Sequence, residues 1–376
     1  MAKGAWIGIG DKARKIKKSW IGVDNKARKV KKMWIGIGGV AKLFFSSEGI
    51  DYYKTMTLGT PVYGNRGASS DKYAFLVGGG YNNGGVEYGL DTVEAYNASL
   101  TKTCPTGLTS GCIAFGMTGA GSSVVIAGGI SYYGLRWYAY RYNDSLTKTT
   151  MEMGYSPANP SATCAGSYVL VAGGDNNTSP KTYFDTVVAI SSSNTVSYAN
   201  NMVYTNTRQA AEHVGGYALF TGGSVNRSVV VVYNSSLTAS SGTELSEPKY
   251  SHGASYVGDR KYAVFAGGAG TTNSVTVDAF NSSLTKTMGE SLSQKRFYMA
   301  SAHLHGMAIF AGGVSSGERF DIVEAYDESL TKKILTPLTL ARNNFAGASV
   351  GDFALFAGGA TASVTYNDTI DVYQSN

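Results

Sequence analysis

His303-Leu304-His305 places two imidazoles on the same side of an extended chain, a spacing that can chelate a metal ion. A site needs further donors. The other histidines, His213 and His252, and the three cysteines, Cys104, Cys112 and Cys164, supply none at an equivalent place, so no metal and no cofactor is expected. His213 and His303 each stand nine residues ahead of a Gly-Gly pair, which also fits polar filling of one strand. Arg66, Arg208, Arg296 and Arg342, with Lys249 in a similar place, each stand ahead of a corresponding apolar run. Gathered at one rim, such guanidinium groups could hold an anionic sugar or phosphate, or they could pair with acids and carbonyls between neighbouring units. No recurring carboxylate pair suggests glycoside hydrolysis, and no Ser-His-Asp arrangement can be picked out. The Gly-Gly pairs follow strands and open no helix, so they form no phosphate loop. Catalytic residues are therefore not expected, and the chain reads as non-enzymatic.

The elements that must position these residues come from a repeat. Tyr262-Ala263-Val264-Phe265-Ala266-Gly267-Gly268 is one of seven apolar runs closed by Gly-Gly, at spacings of 50, 45, 49, 45, 45 and 46 residues. Each unit breaks into four β-prone pieces separated by Gly, Asn and Ser. In one unit these are Met299–Leu304, Met307–Ala311, Ile322–Tyr326 and the stretch after Asp327-Glu328-Ser329-Leu330. Four short strands per unit of this length predict an all-β fold, a seven-bladed β-propeller over residues 49–376. The last unit, ending in Ile370–Asn376, is one strand short, and Tyr52–Thr57 is the missing outer strand in type. That N-terminal strand is expected to pair onto the final blade and close the ring, removing open sheet edges.

The apolar strand ending in Gly-Gly, followed by an aromatic-bearing strand such as Val93-Glu94-Ala95-Tyr96, resembles the kelch repeat over about residues 50 to 376. The kelch tryptophan is missing from the outer strand. The turn Asn97-Ala98-Ser99-Leu100-Thr101-Lys102-Thr103 stands in its place and recurs at Asn143, Asn234, Asn281 and Asp327. The unit at Ser191-Ser192-Ser193 has lost that motif. Kelch-type propellers include binding scaffolds and enzymes. The resemblance therefore implies either a scaffold for protein–protein interaction in the cytoplasm or, as a further alternative, a propeller enzyme acting on sugars.

Residues 1–48 carry a second repeat, of period 14, opening at Trp6, Trp20 and Trp34. Gly10-Asp11, Asp24-Asn25 and Gly38-Gly39, each between β-prone residues, predict two-residue hairpin turns and a small β-meander. The segment holds 12 Lys and Arg against 3 acids, leaving 20 basic and 23 acidic residues in the remainder, so the positive charge of the chain resides in this arm and the remainder is mildly acidic. Phosphate binding with tryptophan stacking, attachment to an anionic membrane surface, and assembly with other chains all fit that composition. A ribbon this short buries too little to stand alone and needs a partner. The pattern Trp-Ile-Gly … Lys-Ala-Arg-Lys, ending in Gly-Gly-Val-Ala-Lys-Leu-Phe-Phe-Ser, resembles the N-terminal repeats of tail-associated proteins of bacteriophages and prophages. The resemblance implies anchoring through Trp6, Trp20, Trp34, Arg14 and Arg28 to other virion proteins, in a homo-oligomer, with nucleic acid not expected as the partner.

The loops after the Gly-Gly pairs differ in length while the strands do not, and they are rich in Tyr, Asn, Ser and Gly, the composition of recognition surfaces. Tyr81, Asn83, Tyr88, Tyr132, Tyr133, Arg136, Trp137, Asn177 and Tyr183 are the binding candidates there. The sequence thus leads to the expectation of a receptor-binding or decoration protein of a virion tail fibre, recognising a bacterial surface glycan or protein for host attachment. No apolar leader follows Met1, and buried free thiols fit synthesis in a reducing bacterial cytoplasm.

Overall fold

A computed structural model describes residues 6–9, 12–15, 20–23, 26–29, 32–37, 40–46, 49–83, 86–225, 228–362 and 365–375, with side chains from residue 49 onward except 82–87. Contacts divide the chain into two compact units, residues 1–51 with 374–376 and residues 52–373. Among the described residues every regular element is a strand.

The N-terminal region holds three two-stranded hairpins, each a sheet of its own: Trp6–Ile9 with Lys12–Lys15, Trp20–Val23 with Lys26–Lys29, and Lys32–Ile37 with Val40–Ser46. Pairing of Ile9 with Lys12, Val23 with Lys26 and Ile37 with Val40 brackets the three expected turns. The turn residues themselves, and the side chains of Trp6, Trp20, Trp34, Arg14 and Arg28, lie outside what is described.

The larger unit is a ring of seven four-stranded antiparallel sheets, as expected. Blade 5 serves as the pattern: an inner strand Gly253–Val257, a second strand Tyr262–Ala266, a third strand Val277–Asn281 and an outer strand Lys286–Met288. Composition follows position. The second and third strands, Tyr-Ala-Val-Phe-Ala and Val-Asp-Ala-Phe-Asn, are buried almost throughout because neighbouring blades cover both of their faces. The outer strand is short, polar and half-exposed. Inner strands converge on the axis, which selects small residues: a Cβ at Gly67 would collide with the Gly347 carbonyl of the adjoining blade. The core is a series of inter-blade layers. In one, Val264, Ala266 and Val277 of blade 5 meet Ala308, Phe310 and Tyr326 of blade 6. Each such aromatic contributes about 1.5–3 kcal/mol by leaving water.

The Gly-Gly pairs join blade to blade. Both glycines take positive φ, for example 61° and 110° at Gly312 and Gly313. The second glycine donates its N–H to a carbonyl on the approach to the next blade, from Gly79 to Cys112 (3.1 Å) round to Gly359 to Val62 (2.7 Å). The last bond spans the point where the chain closes on itself. There the strand Ile50–Val62 lies beside Asn367–Ser375 as the outer strand of blade 7.

The outer turns are held by one side chain each. Asn281 Oδ1 accepts from the N–H groups of Ser283 (3.0 Å) and Thr285 (2.9 Å), and Leu284 sits at φ 61°. Asn97, Asn143, Asn234 and Asp327 repeat this bonding. Blade 3, whose motif is absent from the sequence, keeps the turn. Ser191 Oγ accepts from Thr195 N–H at 3.1 Å, and Asn194 takes the left-handed position at φ 67°. Hydroxyl and asparagine replace carboxamide and leucine without changing the backbone.

Candidate binding face and channel

Strands alternate in direction, so each Gly-Gly pair, the loop after it and the start of the following inner strand fall on one face of the ring. The loop candidates and the arginines ahead of the inner strands therefore share a face. The Asn-x-Ser-Leu turns and the tips between inner and second strands fall on the other.

On the loop face of blades 1 and 2 the tyrosines stack. Tyr81 and Tyr88 are directly paired across the hairpin Gly80–Asn83/Val86–Gly89, with ring centroids 5.5 Å apart. Tyr88 stacks on Tyr132 of the next blade at 5.4 Å and 12°. Tyr132 meets Tyr133 edge-on at 5.3 Å. Offset and edge-to-face pairs at these separations each add about 0.5–1.5 kcal/mol and hold the rings in fixed orientation. The outer members stay open to solvent, Tyr132 at 61% and Tyr133 at 88%, and Trp137 on the same loop, edge-on to Tyr138, is 55% exposed. Arg136, beside Trp137, has Nε and Nη2 buried without an acceptor among the described residues. Asn177 and Tyr183 lie on the loop of blade 3, apart from this stack. Asn177 serves its own turn, at φ 52° with its N–H on Asp175 Oδ1 (2.9 Å), and Tyr183 bridges Asp175 through the backbone. The side chain of Asn83 lies outside the described residues. Tyr63 and Tyr366, stacked at 4.5 Å, extend the aromatic character toward blade 7 and were not singled out in the sequence. Their signal is faint, because Tyr63 falls in the linker between the closing strand and blade 1.

The axis encloses a channel of about 950 Å³ lined by all seven inner strands. The four arginines divide there. Arg66 and Arg208 line the channel. Arg296 and Arg342 do not reach it, which corrects their reading as rim residues. Both are fully buried within their blades, Arg296 on Glu324 at 2.5 Å and Arg342 on Asp371 at 3.0 Å. Lys249 does the same with Asp278 at 2.8 Å. Burial lowers the pKa of all three bases, and the paired carboxylates oppose it.

A belt of left-handed residues encircles the loop-face mouth. Ala114, Asn159, Arg208, Ser251, Tyr298 and Asn344 all lie at φ between 51° and 55°, with Gly64 at 67° in blade 1. Each stands at the start of its blade, and the N–H groups pass from one to the next. Asn344 donates to the Tyr298 carbonyl at 2.9 Å, Tyr298 to Ser251 at 3.1 Å and Ser251 to Arg208 at 3.0 Å. Left-handed backbone costs a non-glycine residue roughly 1–2 kcal/mol. The mouth is thus held in a strained shape by a run of hydrogen bonds that passes from Gly64 round to Ala114.

A second cluster sits in the channel toward the opposite mouth. Arg260 Nη1 lies 2.6 Å from Glu212 Oε1, and its guanidinium covers the Tyr256 ring at 3.8 Å. Tyr256 in turn stacks on His303 at 3.9 Å. Burial alone would raise the Glu212 carboxyl, but Arg260 and His213 outweigh it and hold the pKa at about 2. Burial pushes His303 below its ordinary value even though its Nδ1 bonds the Tyr256 carbonyl at 2.9 Å. His305 occupies the tip after this strand at φ 50°, so the two imidazoles do not share one extended strand as the His-x-His spacing suggested. Among the described residues no three His, Cys, Asp or Glu side chains gather to hold a metal. Cys112 and Cys164 are buried free thiols whose pKa values burial raises to about 12 and about 11, and Cys104 is a free exposed thiol.

No protein-family model matches this sequence, and no curated protein matches it.

Proposed function

We propose that this protein is a non-enzymatic attachment protein of a bacteriophage or prophage particle. Its propeller, read as kelch-type, recognises a bacterial surface glycan or protein with the loop face. Residues 1–48 hold it to other tail proteins, in a homo-oligomer on the virion. The observation that carries the binding half is the Tyr81–Tyr88–Tyr132 stack with exposed Tyr133 at its edge, and exposed Trp137 further along the same loop. Aromatic faces braced against one another present large, rigid contact area at low entropic cost, which suits sugar rings and peptide side chains alike. The anchoring half is supported by the repetition of Trp6, Trp20 and Trp34 with Arg14 and Arg28 in a basic segment. A two-stranded hairpin alone is marginal in water, so such a segment gains its stability from a partner.

Cell binding by labelled full-length protein across a panel of bacterial strains tests this. Tyr132→Ala/Trp137→Ala, both in exposed positions, is expected to lower binding to the recognised strain by at least about tenfold with thermal unfolding unchanged. Binding indifferent to both changes removes the loop face as the recognition surface.

A further inference from the structure

Arg66 and Arg208 line the channel from blades 1 and 4, on two sides of it, and both lie at the loop-face mouth. Arg208 is itself a belt residue, and Arg66 Nη1 lies 3.3 Å from Asn344 Oδ1 of the belt. Neither has a carboxylate partner among the described residues. Arg66 bonds only neutral oxygens, those of Asn344 and the Asn65 carbonyl. The three bases inside the blades, by contrast, each have an acid. The carboxylate bonded to the belt, Asp175, is already committed. Asn177 N–H and Lys181 occupy Oδ1, and Asn159 and Thr207 occupy Oδ2. Of the acids that line the channel, Glu212 is held by Arg260 toward the far mouth, and Asp71 stands in the turn after the inner strand of blade 1, on that same side. Burial without a carboxylate lowers the pKa of Arg66, the mark of a guanidinium placed where its charge is costly.

We infer that this mouth is a binding site for the carboxylate of an acidic sugar, with Arg66 and Arg208 closing on the anion from two sides and Ser251, which also lines the mouth, near the ring hydroxyls. Three independent observations converge on it. Two guanidinium groups lack acids. The channel that opens there encloses about 950 Å³ over all seven inner strands, room enough for a sugar to enter the mouth, since ligand pockets occupy roughly 300–1,000 Å³. The backbone of the mouth is fixed by hydrogen bonds from blade to blade, so the groups it carries are held in place before any ligand arrives. Arginine suits a planar carboxylate because its donors meet both oxygens. The inference deepens the attachment reading, on which the cellular source of the sugar rests, but the binding itself is a property of the full chain in solution.

Titration calorimetry on full-length protein uses galacturonic acid, galactose and inorganic phosphate as probes. Galacturonate is expected to bind saturably and galactose at least about tenfold more weakly, since one charge-assisted contact is worth that much. Arg66→Gln and Arg208→Gln are each expected to weaken galacturonate at least about tenfold, Arg208→Lys less, and Tyr132→Ala not at all. Thermal unfolding of each variant confirms the fold. Equal binding of galactose, or galacturonate binding unchanged in both glutamine variants, overturns the site. Phosphate bound more tightly than galacturonate overturns the assignment to a sugar acid. Galacturonate binding that fails with Arg66→Gln, in a protein that binds no bacterial cell, keeps this site and rejects the attachment reading instead.

Discussion

Arg296 and Glu324 form a pair that neither side chain can leave cheaply, since both are fully buried. Their other bonds are unequal. Glu324 keeps Lys332 at 3.4 Å and the Ser293 N–H at 2.9 Å, whereas Arg296 keeps only the carbonyls of Gly312 and Ile322. Removing the acid therefore strands a buried cation, and removing the base leaves an anion with partners. Glu324→Leu is expected to cost about 3–5 kcal/mol in urea denaturation, and Arg296→Met less. The double variant should be milder than the sum of the two. Other blades already hold neutral versions of this position, with Cys112 and Tyr140 in blade 2, Pro157 and Val188 in blade 3, and Asn206 and Val231 in blade 4. Additive losses would mean that the pair is not the unit described. The sequence showed all four arginines and could not sort them by type. The sorting signal is offset: Arg296 and Arg342 precede their first glycine by 16 residues and Arg208 by 14. A shift of two residues along the approach to the inner strand separates a buried ion pair from the mouth of a channel.

At the level of the element, the Gly-Gly joint does two things that only glycine allows. It takes positive φ twice, and it brings backbone against the next blade. Gly312 shows the second demand, because a Cβ there would lie 2.5 Å from the Arg342 carbonyl and 2.7 Å from the Phe345 ring. Gly121, at φ 57° in the turn after the inner strand of blade 2, makes only the first demand, with nothing within 4 Å of its Cβ position. Gly121→Ala is expected to cost about 1 kcal/mol, and Gly312→Ala about 3 kcal/mol or more, by chemical denaturation. Similar costs at the two positions would show that conformational strain alone accounts for the joint. This joint was legible from sequence because one residue type meets both demands in every blade. The belt was not. Ala114, Asn159, Arg208, Ser251, Tyr298 and Asn344 share a backbone conformation but no chemistry, since the backbone bonds between neighbouring blades impose the geometry and the side chains remain free to differ. The blade 3 turn at Ser191 makes the same point, a lost motif with its backbone kept.

On the scale of the whole molecule, stability depends on the ring having no end. Blade 7 takes three strands from the C-terminus and its outer strand from Ile50–Val62. The layer between blades 7 and 1 joins residues from both ends of the propeller, with Ala74, Leu76 and Tyr96 against Leu355, Ala357 and Val372. Met56 and Leu58 of the closing strand flank that layer, and Tyr52 meets Tyr373 edge-on at 5.8 Å. A chain beginning at residue 58 retains Leu58 and the Val62 carbonyl that receives Gly359, but it loses most of the ladder along the third strand of blade 7. The exposed edge is then a template for pairing with other chains. Relative to a chain beginning at residue 49, that loss is expected to be on the order of 5 kcal/mol, from the burial of Ile50 together with the ladder bonds. It should appear as a lower melting temperature and as association on size exclusion. A peptide of residues 49–57 added to the shorter chain should restore a single sharp transition by re-forming the fourth strand. If the two chains melt together and the peptide changes nothing, the ring is held by its other inter-blade layers and the closing strand is only a covering.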